Sequence, residues 1–443
     1  MGHDDESGMA VFVPSAAVGD IINCRIVKVL SSYAFGIIDE MIRPSADRAD
    51  RGCEVKKTCG GCVFRHISYA AEIRIKENTV KNAFIRLGKF SEEEFEFLPI
   101  LGSDITDRYR NKAQYPVSED KNGRVICGFY AQRSHRVIPC EDCLLQPKIF
   151  SNINAEILAF ANENHIPPYN EETGKGLLRH IYLRRGYHSG EIMVCLVCTR
   201  ADKKAFAPLA DSLMKKFPDI KSFILNINPD RTNVITGKKC VTLGGNDSIT
   251  DIMCKNRISI SPLSFYQVNT PQAERLYAEA GAFAELTGNE DVLDLYCGAG
   301  TIGLSLASRA KHITGAEIIP EAVENAKANA AANGIANADF ICADAGKAAK
   351  IFAESGRSPQ VIITDPPRKG CDELTLDSIV KMSPDRVVMV SCNPATAARD
   401  CRYLADRGYR LRKVRAADLF PGAGHVETVA LLIKSQKKGE PKL

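Results

Sequence analysis

Asp291-Val292-Leu293-Asp294-Leu295-Tyr296-Cys297-Gly298-Ala299-Gly300-Thr301-Ile302-Gly303 is the stretch that decides the fold. An apolar run ends in a Gly-x-Gly-x-x-Gly turn, and a helical pattern follows. Strand, glycine turn and helix in that order open a doubly wound α/β sheet, where the glycines let the backbone approach a ligand. The pattern then repeats downstream. A strand over 313–316 ends at Glu317, Pro320 opens a helix over 321–333, and Gly334 closes it. Strands over 340–342 and 361–364 end at Asp344 and at Asp365-Pro366-Pro367-Arg368. The last, over 386–390, runs into Ser391-Cys392-Asn393-Pro394. Upstream, a helix begins near Pro271.

The glycine turn alone fits dinucleotide and S-adenosylmethionine sites equally. The strand ends discriminate, because a dinucleotide fold gives no reason for Asp344 or for Asp-Pro-Pro-Arg. In a nucleoside-binding methyltransferase, Glu317 takes the ribose hydroxyls and Asp344 the adenine amino group. Cys392 sits at the carboxyl end of a buried strand, where open α/β sheets place ligands. A free cysteine is more often a small buried hydrophobe, but here Asn393 and Pro394 stop the strand and turn the thiol toward the crevice.

Composition bounds the rest. The chain has 443 residues, 45% hydrophobic and 25% charged, enough for two or three soluble domains. It has no apolar run of membrane-spanning length, and its acidic start lacks a signal pattern, so a cytoplasmic location is expected. A net charge of +4 requires any nucleic-acid site to be a local patch. Sixteen cysteines are many for such a protein. Cys53, Cys59 and Cys62, the last two spanning Gly60-Gly61, form a ligand loop. Cys140 and Cys143 are candidates for a fourth ligand, and spacing alone fits zinc or an iron–sulfur cluster. Residues 10–44 read as short strands of a small β-barrel fragment. Residues 69–88 read as a basic helix with a C-cap glycine. Cations interleave with aromatics over 107–115 and 179–185, which predicts phosphate contact and base stacking on unpaired RNA.

Together these stretches resemble the RNA (uracil-5-)-methyltransferases, in particular the iron–sulfur-containing 23S ribosomal RNA branch. The resemblance spans about residues 11–432. It rests on Cys59-Gly60-Gly61-Cys62, Tyr109-Arg110-Asn111-Lys112-Ala113-Gln114, Ser261-Pro262 with Ser264-Phe265-Tyr266-Gln267-Val268-Asn269, Asp365-Pro366-Pro367-Arg368, Ser391-Cys392-Asn393-Pro394 and His425-Val426-Glu427-Thr428. It implies a Rossmann-like S-adenosylmethionine-dependent methyltransferase domain over 256–443. It further implies an α+β iron–sulfur and RNA-binding domain over 51–255, and a partial TRAM domain, an oligonucleotide-binding-type barrel short of its first strands, over 1–50. It assigns a [4Fe-4S] cluster to Cys53, Cys59, Cys62 and Cys143, the last preferred to Cys140 because Leu144-Leu145-Gln146 follows it. S-adenosylmethionine falls to Gln267, Tyr296, Thr301, Glu317 and Asp344, with Asp365 at the junction with the base. Cys392 matches the nucleophile and Glu427 the general base. One departure is Pro421-Gly422-Ala423-Gly424 before His425, where relatives often carry threonine or histidine.

The implied substrate is a loop or flipped uridine in 23S ribosomal RNA, methylated at C5 by a monomer that has no membrane partner. Transfer RNA is the alternative substrate. A base-flipping N-methyltransferase and a non-catalytic iron–sulfur RNA-binding protein are the rival readings. Neither needs both Cys392 and Glu427.

Overall fold

The computed structural model describes residues 2–4 and 7–435. Its C-terminal half is built on an eight-stranded sheet. In spatial order the strands are Ala338–Cys342, His312–Glu317, Asp291–Leu295, Val361–Thr364, Arg386–Ser391, Glu427–Lys434, Tyr409–Ala417 and Glu96–Leu101. Val292, Leu293, Ile362, Ile363, Val387 and Val388 are all buried, since helices cover both faces of the sheet. That is why these strands read as continuous apolar runs. Their neighbours are parallel, except that Glu427–Lys434 runs antiparallel to the strand on either side. The strand order turns outward in both directions from Asp291–Leu295, which makes a switch-point crevice at its carboxyl end.

The helix expected near Pro271 is Thr270–Ala284, capped by the Asn269 side chain. The helix after Glu317 is Pro320–Ala332, with Gly334 beyond it at φ +65°. The basic helix is Tyr69–Asn82, continued by a π turn over Ala83–Leu87. Gly88 ends that turn in the right-handed region, φ −72°, and is not a left-handed cap. The reason for glycine there is space, because a Cβ would lie 2.7 Å from the Phe84 carbonyl oxygen and 2.9 Å from the Phe90 ring.

The middle of the chain forms a seven-stranded sheet from Lys112–Glu119 to Lys239–Gly245, with helices Lys148–Glu163 and Lys203–Lys216 sharing the core on one face. Its other face contributes Tyr182, Met193 and Cys195 to a core shared with Leu276 and Val292, so the two large sheets are packed as one body. The N-terminal strands Gly2–His3, Ala10–Phe12, Ile21–Val29 and Tyr33–Arg43 make an open four-stranded sheet. Phe12, Tyr33 and Phe35 cluster on it with ring centroids 5.3–5.8 Å apart. Among the described residues, no helix is long and apolar enough to cross a membrane.

The structure corrects the reading of 107–115 and 179–185 as two base-stacking surfaces. Tyr109, Tyr115, Arg179, Tyr182 and Arg184 are all buried. Arg179 donates to the Asn228 and Asp230 carbonyls, and Arg184 to those of Ser261 and Ser264. The alternation of cations and rings is that of a strand buried on both faces, whose guanidinium groups are satisfied by loop carbonyls. Arg110, Lys112 and Arg185 remain partly exposed.

Candidate active site

Strand pairing brings the two expected catalytic residues together. Ser391 is the last residue of its strand and pairs with Thr428 on the antiparallel neighbour. One further step along both strands brings Cys392 near Glu427, close enough for the carboxylate to act on the thiol. One chain leaves the sheet where the other enters it. Asn393 caps the helix Pro394–Ala405 and also donates to the Arg368 carbonyl at 2.8 Å. The cysteine turn is thereby tied to the Asp365-Pro366-Pro367-Arg368 turn.

Thiol and carboxyl sit in an acidic environment, the carboxyl buried and the thiol half-buried. Burial raises the Glu427 carboxyl to about 8, and the Asp365 charge adds to the rise while Arg368 opposes it. Burial also lifts Asp365 to about 7. The Cys392 thiol is pushed up by burial, then by Glu427 and Asp365, with Arg368 pulling the other way. Taking a carboxylate out of water disfavours its charged form. A cation brought between these groups would favour ionisation. Arg368 Nη2 also lies 3.1–3.2 Å from the His425 ring nitrogens. Burial first, then Arg368, depresses the basicity of His425.

Of the six residues expected to hold the cofactor, Gln267, Tyr296, Thr301 and Asp365 line one cavity. The glycine turn enters it with Tyr296 at φ +64°, a left-handed conformation unusual for a tyrosine. Glu317 lies beside the cavity, accepting from the Gly298 N–H at 3.1 Å and the Ile319 N–H at 2.9 Å. Asp344 lies outside its lining, and its carboxylate caps the helix Ala345–Glu354 through the Gly346 N–H. A roomier cavity lies elsewhere, around Asp291, His312 and Pro359 at the amino ends of the strands. Parallel sheets bind at their carboxyl ends, so the smaller cavity is the site.

Sequence reasoning missed Tyr277, part of the lining, and Asp294, which lies outside it. Tyr277 lines the cavity from the buried face of its helix, and Asp294 lies fully buried one residue inside its strand end. Asp294 Oδ2 accepts the Gly303 N–H at 3.0 Å, Oδ1 has no partner, and burial raises the group to about 7. Tyr277 has the spacing of a core residue, and Asp294 interrupts an apolar run. Only the second carried a signal.

The cysteines gather at a separate place. Gly60 donates to the Tyr130 carbonyl, and a Cβ there would lie 3.1 Å from the Gln132 backbone, which accounts for the glycine. Arg108 grips Asp142 at 2.6 and 2.8 Å and thereby holds the second cysteine turn. Burial raises the Cys62 thiol to about 11, with the nearby Cys143 and Cys59 adding to the rise. Cys143 is drawn down to about 7, chiefly by Cys140 and also by the Leu145 and Gln146 N–H groups. Cys53 perturbs both Cys59 and Cys140. Five thiols therefore converge. Among the described residues, no group of three or more His, Cys, Asp or Glu side chains is arranged to hold a metal ion. Thiolates are the ligand type that iron–sulfur clusters use.

Residues 68–435 match the tRNA (uracil-5-)-methyltransferase family. An RNA methyltransferase of Halalkalibacterium halodurans, itself uncharacterized, is 44% identical over 425 residues, 96% of this chain and 92% of that one. A second, from Clostridium acetobutylicum, is 40% identical over 427 residues, 96% and 93% of the two chains. Among solved structures, the tRNA (uracil-54, C5)-methyltransferase of Pyrococcus abyssi, in complex with S-adenosyl-L-homocysteine, superposes with a TM-score of 0.77 at 25% identity. That superposition covers 98% of this chain and 99% of the other.

Proposed function

The chain belongs to the tRNA (uracil-5-)-methyltransferase family, and from that premise we propose that it methylates uridine C5 in RNA, most specifically in 23S ribosomal RNA. The observation that carries the proposal is the meeting of Cys392 and Glu427 across adjacent strands, beside a cavity that ends at Asp365. Uracil C5 is a weak nucleophile. The Cys392 thiolate forms a bond to C6, and the C5–C6 π electrons become an enolate that makes C5 nucleophilic. Gln267, Tyr296, Thr301, Glu317, Asp344 and Asp365 would hold S-adenosylmethionine, whose sulfonium would give its methyl group to C5 and leave as the neutral thioether S-adenosylhomocysteine. Glu427 then removes the C5 proton, the C5–C6 double bond re-forms, and the Cys392 thiolate leaves. Asp365 holds the target base against the methyl group. The uridine must be unstacked to reach both groups. The partly exposed cations Arg110, Lys112 and Arg368 suit the flanking phosphates.

The cysteine loop supports the ribosomal reading. Transfer RNA is the second reading, favoured by the substrate of the Pyrococcus abyssi enzyme. Mapping 5-methyluridine by mass spectrometry, in ribosomal and transfer RNA separately, from cells with and without the gene separates the two. The expected result is loss from 23S ribosomal RNA. Loss from transfer RNA alone moves the substrate, and loss from neither overturns the proposal.

Cys53, Cys59, Cys62 and Cys143 would hold a [4Fe-4S] cluster, and Cys140 would tune Cys143. Protein purified without oxygen is expected to be brown, with four irons per chain as the cluster requires. Cys143→Ser should lose the colour and Cys140→Ser should keep it. Stoichiometric zinc without iron would overturn the assignment. The division into a TRAM-like part over 1–50, a central part over 51–255 and a methyltransferase part over 256–443 belongs to the same proposal. Helix Tyr69–Asn82 and strand Glu96–Leu101 nevertheless pack on the last of these parts.

A further inference from the structure

Glu427 is entered through a turn, Asp418 to Gly424, whose backbone is held by four different regions of the chain. Asn269 Nδ2 donates to the Leu419 carbonyl at 3.0 Å. Lys76 Nζ donates to that of Phe420 at 3.0 Å, and the Tyr109 hydroxyl to that of Pro421 at 3.0 Å. The Gly422 carbonyl accepts from Val63 and Phe64, the two residues that follow Cys62, at 2.9 and 3.0 Å. On the donor side, Gly422 N–H donates to Glu72 Oε1 at 2.6 Å. Four consecutive carbonyls outside any strand are therefore satisfied one by one from distant sequence. Two of the donors, Asn269 and Tyr109, belong to stretches that also carry the family resemblance, and Val63 and Phe64 directly follow a third.

At the centre is a buried ionic group. Lys76 is 1% exposed, and Glu72 and Asp418 are 0%. Lys76 Nζ donates to Glu72 Oε1 and to Asp418 Oδ1, both at 2.7 Å, which with Phe420 uses all three of its protons. Tyr69 and the Phe420 N–H bond Asp418, and Arg51 bonds Glu72 at 2.6 Å. Well-packed apolar side chains often hold a core as well as such a group does, while ionic groups demand one geometry. The cysteine loop packs on the same turn. A Cβ at Gly422 would lie 3.7 Å from Cys62 Sγ, and one at Gly424 would lie 3.3 Å from Val63 Cγ2.

We propose that Lys76, with Glu72, Asp418 and Tyr109, is a positioning residue for the general base: the four fix the Asp418–Gly424 turn, set where Glu427 enters the sheet, and join the cysteine loop to it. The inference rests on the role given to Glu427 above. Its consequence is selective. Cys392 arrives on a different strand, so loosening the turn should spare attack at C6 and slow removal of the C5 proton.

The test is rapid-quench analysis of the covalent protein–RNA species, its appearance timed separately from its decay. Tyr109→Phe keeps the ring and removes one hydroxyl, and Lys76→Met removes the central charge. In both, appearance should stay within about twofold of wild type, and decay should slow about tenfold or more. Equal slowing of both phases would show a merely structural role, and unchanged decay would show no role. Either overturns the proposal. If Lys76→Met does not fold, Tyr109→Phe carries the test. If wild-type protein forms no such species, the reaction assigned above fails first and takes this inference with it.

Discussion

Cys392→Ala is expected to lower methyl incorporation into RNA by on the order of 10⁴-fold or more, and to leave no covalent protein–RNA species. The size of the effect follows from the order of events. Without the Sγ–C6 bond, C5 never becomes nucleophilic, and no later step compensates. Alanine keeps the Cβ and the backbone of a half-buried turn whose cap and hydrogen bonds come from Asn393, so the fold should survive. Substrate RNA carrying 5-fluorouridine should trap the wild-type enzyme, because fluorine cannot leave C5 as a proton does, and should not trap the variant. If the variant is still trapped, another thiol is the nucleophile. Cys297, which lines the cavity beside Asp365, would be the next to test.

Glu427→Ala should leave attack and methyl transfer in place and slow elimination by about 10²–10⁴-fold. The methylated adduct should then accumulate as a band that survives denaturing electrophoresis. This is the opposite outcome to that for Cys392→Ala, and it separates the two roles. In the wild type the same step should depend on pH. Burial raises Glu427 to about 8, and only the ionised form accepts a proton. Decay of the adduct should therefore slow as pH falls below about 8 and level off above it. A decay rate independent of pH between 6 and 9, or a Glu427→Ala enzyme that turns over normally, would remove Glu427 from the role.

The parts of this molecule that were legible in sequence are those where one physical demand dominates. Strands Val361–Thr364 and Arg386–Ser391 are buried on both faces, so no polar residue interrupts them until the strand ends. Thr364 and Ser391 close the strands, and Asp365 and Cys392 come next. Other features were masked because one pattern serves two demands. Lys76 looks like part of a solvated helix face, yet it is fully buried because three oxygens surround its ammonium group. Arg179 and Arg184 look like an RNA-binding run, yet loop carbonyls satisfy them inside a sheet. Strand Glu96–Leu101 carries Pro99, which argues against a strand unless it lies at an edge, where a missing N–H costs nothing. It is an edge strand.

That edge strand bears on how the protein is made. Glu96–Leu101 pairs in parallel with Tyr409–Ala417, and Arg415 Nε bonds the Pro99 carbonyl across 316 residues of sequence. On the ribosome, the first strand of the catalytic sheet emerges when none of the other seven yet exists. Domains usually fold as they appear, N-terminal first, but this sheet closes only after its last hairpin has been translated. Until then the Glu96–Leu101 segment waits with its hydrogen-bonding edge unpaired, as does the helix Tyr69–Asn82 that is to pack beside it. The nascent chain thus completes its catalytic sheet with a segment laid down early in synthesis.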